Sequence, residues 1–256
     1  MIARTEKEIS ALREGGRRLA KHLRILSEMV EPGITPKELE DNAQEMVAKD
    51  GDDLAFLGYK TGKNEEPYPS GLCVSVNDII VHSPAALNHT AILNGDIVCL
   101  DFGIRHEGFF TDSAVTVIAG TKRDPEDVRL LKGTQEALAA GIARAMIGNT
   151  TGDIGYAVER VAKKYQFGFP RNLSGHGVGL RVHEEPHVPN FGAPGSGVKL
   201  EEGLVIAIEP MMTLGSGDLY VDKDGHSYRT KDGSRTAHCE HTIIVTKNGP
   251  EILTKE

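Results

Sequence analysis

The sequence lacks the features that would direct a protein into a membrane or out of the cell. No apolar run approaches the roughly 20 residues that a helix needs to cross a bilayer. The first ten residues, MIARTEKEIS, are charged and contain no apolar signal region, so we expect neither a membrane partner nor export. Cys73, Cys99 and Cys239 are odd in number and far apart, which indicates reduced, buried thiols and not a disulfide framework. These absences predict a cytoplasmic protein.

An excess of positive charge is also absent. The formal net charge is −8 at pH 7, which gives no broad basic surface for nucleic acid, and we expect no DNA partner. With 256 residues, the chain can form one large or two small domains around an ample hydrophobic core. Composition alone therefore indicates a soluble globular protein and leaves its chemistry open.

One short segment matches a metal-binding motif. HEEPH, at 183–187, fits the zinc-peptidase pattern H-E-x-x-H, in which both histidines lie on the same face of a helix. Pro186 stands inside the supposed turn, where it has no backbone donor and clashes with the preceding turn. Glycines alternate through the upstream stretch SGHGVGL, which favours a strand or close backbone packing. We therefore predict that this segment is not a zinc-binding helix.

Two helices are predicted near the start of the chain. Thr5 and Glu8 have capping-box spacing, and apolar residues then recur every three or four positions as far as residue 26. In the second helix Thr35 is the expected N-cap, Pro36 the first helical residue and Glu38 the third residue of the capping box. Each helix has one apolar face, so the pair is expected to cover a sheet.

The same order of elements returns in the second half. Asp124 and Pro125 open a third predicted helix, and the stretch IGNTTGDIGYAVERV repeats the second helix of the first half. β-Branched strands follow each pair: GDIVCLD (95–101) aligns with GLVIAIE (203–209), and DSAVTV (112–117) aligns with EHTIIV (240–245). We predict an internally duplicated α+β protein with an antiparallel sheet, forming a single domain over 1–256 from pseudo-repeats of about 1–120 and 121–256.

Both strand alignments place a carboxylate opposite a carboxylate. Asp101 corresponds to Glu209, and Asp112 corresponds to Glu240. Each could be an exposed or salt-bridged residue at the end of a strand, since most acidic side chains are exposed. A two-fold axis would instead bring all four together, where their charges require cations between them. Carboxylates with few nitrogen ligands suit a pair of divalent ions that activate a water molecule.

Two histidines complete this hypothetical site. His176 in SGHGVG is the natural nitrogen ligand, although a buried histidine satisfied by backbone groups is the alternative. His183, seven residues further on, is suited to donate a hydrogen bond to a substrate carbonyl without binding the metal. His187 is expected to be structural or exposed. One histidine of HEEPH is thus predicted to act without a zinc helix.

Motifs along nearly the whole chain resemble those of the type I methionine aminopeptidases, which have the pita-bread fold. They occur in the order VHS (81–83), LDFG (100–103), FTDSA (110–114), SGHGVGL (174–180), HEEP (183–186), AIEPM (207–211) and EHTIIVTKNGPEILT (240–254). The combination is specific, because all the candidate ligands recur in family order and spacing. Only 26 residues separate His183 from Glu209, which leaves no room for the helical insertion of type II enzymes. The expectation is a minimal, bacterial-style enzyme with a single catalytic domain.

The resemblance implies a role for each site residue. The metal ligands would be Asp101, Asp112, His176, Glu209 and Glu240, with Asp112 and Glu240 bridging two divalent ions. Glu209 would also be the general base, while His82 and His183 would hold the scissile amide and stabilise the tetrahedral intermediate. The reaction implied is the removal of the initiator methionine from new chains with a small second residue.

Cofactors are implied less specifically. Mixed carboxylate and imidazole sites accept manganese, iron, cobalt, nickel or zinc. The resemblance also suggests a monovalent-cation site built from backbone carbonyls near Asn77, Ile79 and Thr236. The expected partners are the N-termini of nascent polypeptides, and the implied function predicts transient docking at the ribosome. The duplication needs no second subunit to complete the site, so we expect a monomer.

The predicted methionine pocket departs from the family pattern in one wall. Cys73 and Tyr68 match the pattern and Tyr59 is a further candidate, whereas the chain has no tryptophan and His226 stands where some relatives carry one. Cys73 could equally be a buried core residue, and Tyr68 could simply pack in its loop. His82 is followed by SPA instead of the usual G-x-P. The pocket is therefore expected to be more polar or more open on that side.

Two other functions are consistent with the same fold. A proline-specific aminopeptidase or dipeptidase usually carries a separate N-terminal domain, for which this length leaves no room. A non-catalytic pita-bread protein that binds a partner typically loses metal ligands, whereas all five candidates are present here. Both alternatives rank below the methionine aminopeptidase.

Overall fold

Four α-helices form where the capping residues predict them. The computed structural model describes residues 1–60, 62 and 66–256. The predicted capping boxes at Thr5 and Thr35 and the predicted helix start at Asp124 are confirmed, because each side chain accepts a hydrogen bond from the first turn of its helix. Thr150 caps the fourth helix in the same way. The helices are α1 (Glu6–Glu28), α2 (Pro36–Asp50), α3 (Pro125–Ile142) and α4 (Thr151–Tyr165), and a 3₁₀ turn spans Ala85–Leu87.

Fourteen strands are present among the described residues. They are β1 (Asp53–Leu54), β2 (Leu72–Val76), β3 (Ile79–Val81), β4 (Ile97–His106), β5 (Phe109–Ile118), β6 (Ser174–Gly177), β7 (Glu184–Pro189), β8 (Val205–Ile208), β9 (Met211–Thr213), β10 (Leu219–Val221), β11 (Tyr228–Thr230), β12 (Thr236–His238), β13 (Glu240–Thr246) and β14 (Gly249–Ile252). None of the helices in the described part of the chain is long and apolar enough to cross a membrane.

A nine-stranded antiparallel sheet organises the molecule. Its strand order is β1-β4-β5-β13-β8-β6-β7, with β2 also beside β4 and β14 also beside β13. The long strands β4 and β5 pair over their full length, and β13 joins β5 to β8. Two smaller antiparallel sheets, β10-β11-β3 and β12-β9, lie outside this path. The α+β class with an antiparallel sheet is therefore confirmed.

The two helix pairs pack on the sheet through separate hydrophobic cores. Leu19 of α1 and Leu39 of α2 are fully buried against Leu100 of β4. In the second half, Ile154 of α4 is fully buried against Ile206 of β8. Each such side chain contributes about 1.5–3 kcal/mol on burial. The helices thus seal one face of the sheet, and functional side chains must use the opposite face.

The HEEPH segment is extended, as predicted. Its residues from Glu184 onwards form β7, which pairs with β6, and Gly177 lies opposite Glu184 in that pairing. A Cβ atom on Gly177 would collide with the carbonyl oxygen of Glu185, so the hairpin needs glycine for this close backbone approach. Cys73, Cys99 and Cys239 are free and buried, which confirms the prediction that they are isolated thiols.

A glycine in α1 provides a test of the packing between the helix and the C-terminal strand. The Cβ atom of a Gly16→Ala variant would overlap the carbonyl of Leu253. Alanine normally stabilises a helix by about 1 kcal/mol relative to glycine, yet we expect this variant to lower the free energy of unfolding by about 2 kcal/mol because the helix must move outward. Chemical denaturation measures the change, with Ser10→Ala at an exposed site of α1 as control. A stabilised Gly16→Ala protein would contradict this account of the contact.

Candidate metal centre and substrate cavity

The strand register places three carboxylates on one face of the sheet. Asp101 of β4 and Glu240 of β13 both lie opposite Ala114 of β5, one on either side. Asp112 precedes Ala114 by two residues on β5, so its side chain points to the same face. Three neighbouring strands therefore present Asp101, Asp112 and Glu240 together, and oxygen atoms of the three lie within 4.8 Å of one another.

The same register brings in the other two candidate ligands. Thr242, two residues after Glu240, lies opposite Ala207 of β8, and Ala207 lies opposite His176 of β6. Glu209 follows Ala207 by two residues, immediately after β8 ends. Because side chains alternate along extended backbone, all five candidate ligands share the face that the helices leave open.

The five side chains form one continuous cluster. His176 Nε2 lies 3.4 Å from Glu209 Oε1 and 3.9 Å from Asp112 Oδ2. Atoms of His176, Glu209 and Glu240 lie within 4.8 Å of one another and so link the two halves of the site. The structure thus brings together all five residues that the sequence singled out as ligands.

Burial makes this cluster unfavourable for a protein without cations. Desolvation raises the pKa of Asp101 to about 7 and that of Glu209 to about 8. Burial, reinforced by the neighbouring carboxylates, raises the pKa values of Asp112 and Glu240 well above their usual range. Asp112 Oδ1 and Glu240 Oε1 are buried without a hydrogen-bond partner among the described residues. Oxygen donors held close together and left unsatisfied fit divalent metal ions, which the cluster can hold.

His176 is oriented to present one nitrogen to this cluster. Its Nδ1 donates a hydrogen bond to the carbonyl oxygen of Gly177 at 2.9 Å. The carbonyl can only accept, so the proton is on Nδ1 and the lone pair of Nε2 faces Asp112 and Glu209. Desolvation lowers the pKa of His176 to about 4, which keeps the ring neutral at physiological pH. A neutral imidazole fixed in this way is suited to ligate a metal.

The two predicted substrate-binding histidines border the same cavity. The ring centroid of His183 lies 4.3 Å from that of His176 and 5.0 Å from that of Tyr59. His82 has a left-handed backbone with φ of 62° and packs edge-on against Tyr228. Desolvation lowers the pKa of both, to about 4 for His82, so each ring is neutral and keeps one N–H donor.

His187, the other histidine of HEEPH, is placed differently. Its side chain is 75% exposed at the outer rim, 3.9 Å from Glu185 and 3.3 Å from the hydroxyl of Ser174. It belongs to none of the residue groups that could hold a metal in the described part of the chain. The HEEPH segment therefore contributes His183 to the site and leaves His187 at its edge.

The cavity has a volume of about 580 Å³, and its walls include all four residues predicted for the methionine pocket. Tyr68 Oη lies 3.0 Å from Cys73 Sγ, and His226 packs edge-on against the ring of Tyr68. Tyr59 lies next to His183. The sequence interpretation missed other walls of the cavity, which come from distant segments: Phe56, Met211 and Tyr228. Their apolar character was visible in the sequence, but their convergence was not.

One buried histidine of the site was also missed. Nε2 of His238 lies 3.5 Å from Glu209 Oε2 and 3.7 Å from Glu240 Oε2, and the side chain is fully enclosed. Neither of its ring nitrogens has a hydrogen-bond partner within the described residues. The signal was present in AHCEH, because a residue two positions before Glu240 in extended backbone faces the same side.

The residues of the suggested monovalent-cation site lie together. The hydroxyl oxygen of Thr236 is 2.9 Å from the carbonyl oxygens of both Asn77 and Ile79. These contacts bring the three residues together at the junction of β3 and β12. Cation binding there stays a prediction.

The chain matches the profile of metallopeptidase family M24 over residues 10–247. Its sequence is 43% identical to methionine aminopeptidase from Aquifex aeolicus over 254 residues, covering 98% of this chain and 97% of the relative. The crystal structure of methionine aminopeptidase from Thermotoga maritima superposes with a TM-score of 0.94 at 38% identity, with all of both chains covered. The chain therefore belongs to metallopeptidase family M24. Within this family it groups with the methionine aminopeptidases, which are hydrolases, as its motifs predicted.

The same fold occurs in a structure of lower sequence identity. Prolidase from Pyrococcus furiosus superposes with a TM-score of 0.74 at 22% identity. The match covers 100% of this chain and 66% of the prolidase chain. At this identity the likeness concerns the fold alone. Together with the methionine aminopeptidase structure, it confirms the pita-bread fold that the sequence motifs implied.

The buried carboxylates predict an unusual pH dependence for the metal-free protein. Unfolded Asp and Glu titrate near pH 4, whereas Asp101 and Glu209 titrate at about 7 and 8 in the fold. The folded state therefore binds more protons than the unfolded chain near neutrality, and the free energy of unfolding should fall by about 1 kcal/mol as pH rises from about 7 to 8. The histidines with lowered pKa values affect the free energy of unfolding only below about pH 6.5, where unfolded histidines become protonated and stability is lost as pH falls.

Thermal unfolding of the metal-free protein at both pH values measures this effect. We expect a lower Tm at the higher pH, and a larger rise in Tm on adding Mn²⁺ at the higher pH, because the ion competes with protons for the same oxygens. In Asp101→Asn, one of the titrating groups is gone and the pH dependence should weaken. A Tm that is independent of pH in this window would show that the cluster does not carry the raised pKa values.

Proposed function

We propose that the chain removes the initiator methionine from new polypeptides whose second residue is small, using two divalent metal ions. The observation that supports this most directly is one continuous cluster: four carboxylates and His176 beside a cavity bordered by two neutral histidines. The name shared by the relatives at 34–43% identity supports methionine as the first residue. The small second residue comes from the family resemblance.

Each site residue has a chemical role in this proposal. Asp101, Asp112, His176, Glu209 and Glu240 would hold the ions, with Asp112 and Glu240 in bridging positions. Bound divalent ions would polarise the attacking water and the scissile carbonyl.

Glu209 would accept the proton of the attacking water and later deliver it to the leaving amine. Burial raises the pKa of this carboxyl in the metal-free protein. Bound cations would lower that pKa, which leaves the carboxylate able to accept the proton. His183 and His82 would donate hydrogen bonds to the scissile amide, and their lowered pKa values keep them as neutral donors. The roles thus divide between one proton carrier and two fixed donors.

The cavity supports an apolar first side chain. Phe56, Tyr68, Cys73 and Met211 supply apolar or polarisable surface, and sulfur atoms and aromatic edges suit a thioether. His226 stands at one wall beside Tyr68. The imidazole of His226 would tolerate polar groups of a substrate better than an indole at the same position would.

Several wider properties belong to the same proposal. The metal ions would be manganese, iron, cobalt, nickel or zinc, with a monovalent cation near Thr236. The substrates would be N-termini of nascent chains in the cytoplasm, reached during transient docking at the ribosome. One chain supplies the whole cluster from both of its halves, which supports a monomer.

Peptide hydrolysis tests the function directly. Metal-stripped protein is assayed on Met-Ala-Ser, Met-Lys-Ser and Pro-Ala-Ser before and after adding Mn²⁺ or Co²⁺, and an Xaa-Pro peptide represents the proline-specific alternative. We expect metal-dependent release of methionine from Met-Ala-Ser alone, and loss of at least about 100-fold in kcat in Glu209→Gln with the fold retained. Release from the Xaa-Pro peptide would favour a prolidase-like enzyme, and no release with any metal would favour a non-catalytic binding protein.

The two histidines of HEEPH provide a matched pair. His183→Ala should lower kcat/KM by about 100-fold, the size seen when one transition-state donor is removed, whereas His187→Ala should change it by less than about threefold because that side chain is exposed at the rim. Steady-state kinetics on Met-Ala-Ser with saturating metal measures both. Equal losses in the two variants would mean that His187 also contributes to the site.

A further inference from the structure

Glu40 is a fully buried carboxylate of α2 that is outside both the metal cluster and the cavity lining. Its four partners in the described part of the chain are neutral donors. Oε1 accepts hydrogen bonds from the backbone N–H of Gly71 and the amide of Gln44, each at 2.7 Å. Oε2 accepts from the N–H of Leu72 at 2.7 Å and from the hydroxyl of Ser70 at 2.8 Å. Such a group is costly to bury, and these bonds offset that cost.

The backbone that Glu40 holds connects two walls of the substrate cavity. Residues 70–72 join the loop carrying Tyr68 to the start of β2, which carries Cys73. Tyr68 Oη and Cys73 Sγ lie 3.0 Å apart and face the cavity together. Cys73 in turn lies opposite the candidate metal ligand Asp101 in the pairing of β2 with β4. A shift of residues 70–72 would therefore move the pocket wall relative to the reacting bond.

Ser70 extends the same network towards His82. Its hydroxyl oxygen accepts a hydrogen bond from the N–H of Ala86 at 3.1 Å, in the 3₁₀ turn that follows His82. The carbonyl oxygen of Ser83 accepts a hydrogen bond from the backbone N–H of Val74 in β2 at 3.0 Å. Glu40 thus anchors one helix to both segments that supply the substrate-facing wall, without touching the cavity itself.

We propose that Glu40 is a positioning residue that fixes the pocket for the first substrate side chain and so sets its selectivity for methionine. This inference rests on the proposed function. A carboxylate has two oxygens in a fixed plane, so four simultaneous hydrogen bonds define both the distance and the orientation of residues 70–72 relative to α2. Neutral partners leave this anchor independent of the metal cluster.

Glu40→Gln is the informative variant because it preserves size and removes one acceptor oxygen. Whichever way its amide is turned, the NH₂ group faces donors instead of accepting from them. Glu45→Gln, at an exposed position of the same helix, is the matched control. Both are assayed with Mn²⁺ on Met-Ala-Ser and Leu-Ala-Ser.

We expect Glu40→Gln to raise KM for Met-Ala-Ser by about 10-fold and to lower the preference for methionine over leucine by a similar factor. kcat at saturation should change much less than KM, because Glu40 contacts none of the candidate metal ligands. Glu45→Gln should match the wild type in all three quantities. A purely structural role would lower the Tm and the active fraction but leave KM and the preference of the folded enzyme unchanged.

Cys73 offers a readout that does not depend on activity. Native protein is treated with iodoacetamide, and alkylation at each cysteine is followed by peptide mass spectrometry. In Glu40→Gln we expect Cys73 to react several-fold faster, while Cys99 in β4 and Cys239 between β12 and β13 react at the wild-type rate because neither is in the segment that Glu40 holds. Equal acceleration at all three would indicate global loosening and would count against the proposal.

The outcomes separate this inference from the proposed function. If the wild type releases no methionine, the function fails, and Cys73 alkylation still decides whether Glu40 positions the wall. If Glu40→Gln does not fold, Ser70→Ala replaces it, since this variant removes one of the four donors and should show the same changes at smaller size. Unchanged KM, preference and Cys73 reactivity in a folded variant would overturn the proposal.

Discussion

Mutual repulsion among four buried carboxylates is the constraint on which the rest of the structure depends. Asp101, Asp112, Glu209 and Glu240 come from the two halves of the chain, and burial raises all four of their pKa values. The strands cannot separate to relieve the repulsion, because helices seal the opposite face of the sheet through two packed cores. Cations or protons must therefore neutralise the site, and any cation that binds there stabilises the fold.

The sequence was sufficient to predict the features that depend on neighbouring residues and on the alternation of side chains along strands. Capping residues such as Thr5 and Thr35 marked the helices, since their hydrogen bonds involve neighbours only a few residues away. The duplication then aligned Asp101 with Glu209 before any contact was known, because side chains that alternate on matching strands must face the same way. These two rules account for the fold class and for the four candidate carboxylates, whereas His176 was predicted from the segment SGHGVG and the family resemblance.

What the sequence did not predict depends on contacts between distant segments. Glu40 looked like an ordinary helix residue, and only the packing of α2 against residues 70–72 turns it into a buried anchor. Met211 and Tyr228 reach the cavity from the short strands β9 and β11, whose relative placement no local pattern specifies. Strand alternation could have placed His238 on the same side as Glu240. A histidine can be either a core residue or a site residue, however, and only its contacts with Glu209 and Glu240 decide between the two.

The candidate ligands and the cavity wall are held by different kinds of structure. The candidate ligands are on or directly beside paired strands, where register fixes their spacing. The side-chain pocket is built instead on the loop before β2 and on the turn at Asp224, which orients His226 through its backbone N–H. Loop residues can change without altering the register of the sheet. The separation would allow the cavity wall formed by Tyr68 and His226 to change while the register that holds the candidate ligands is kept.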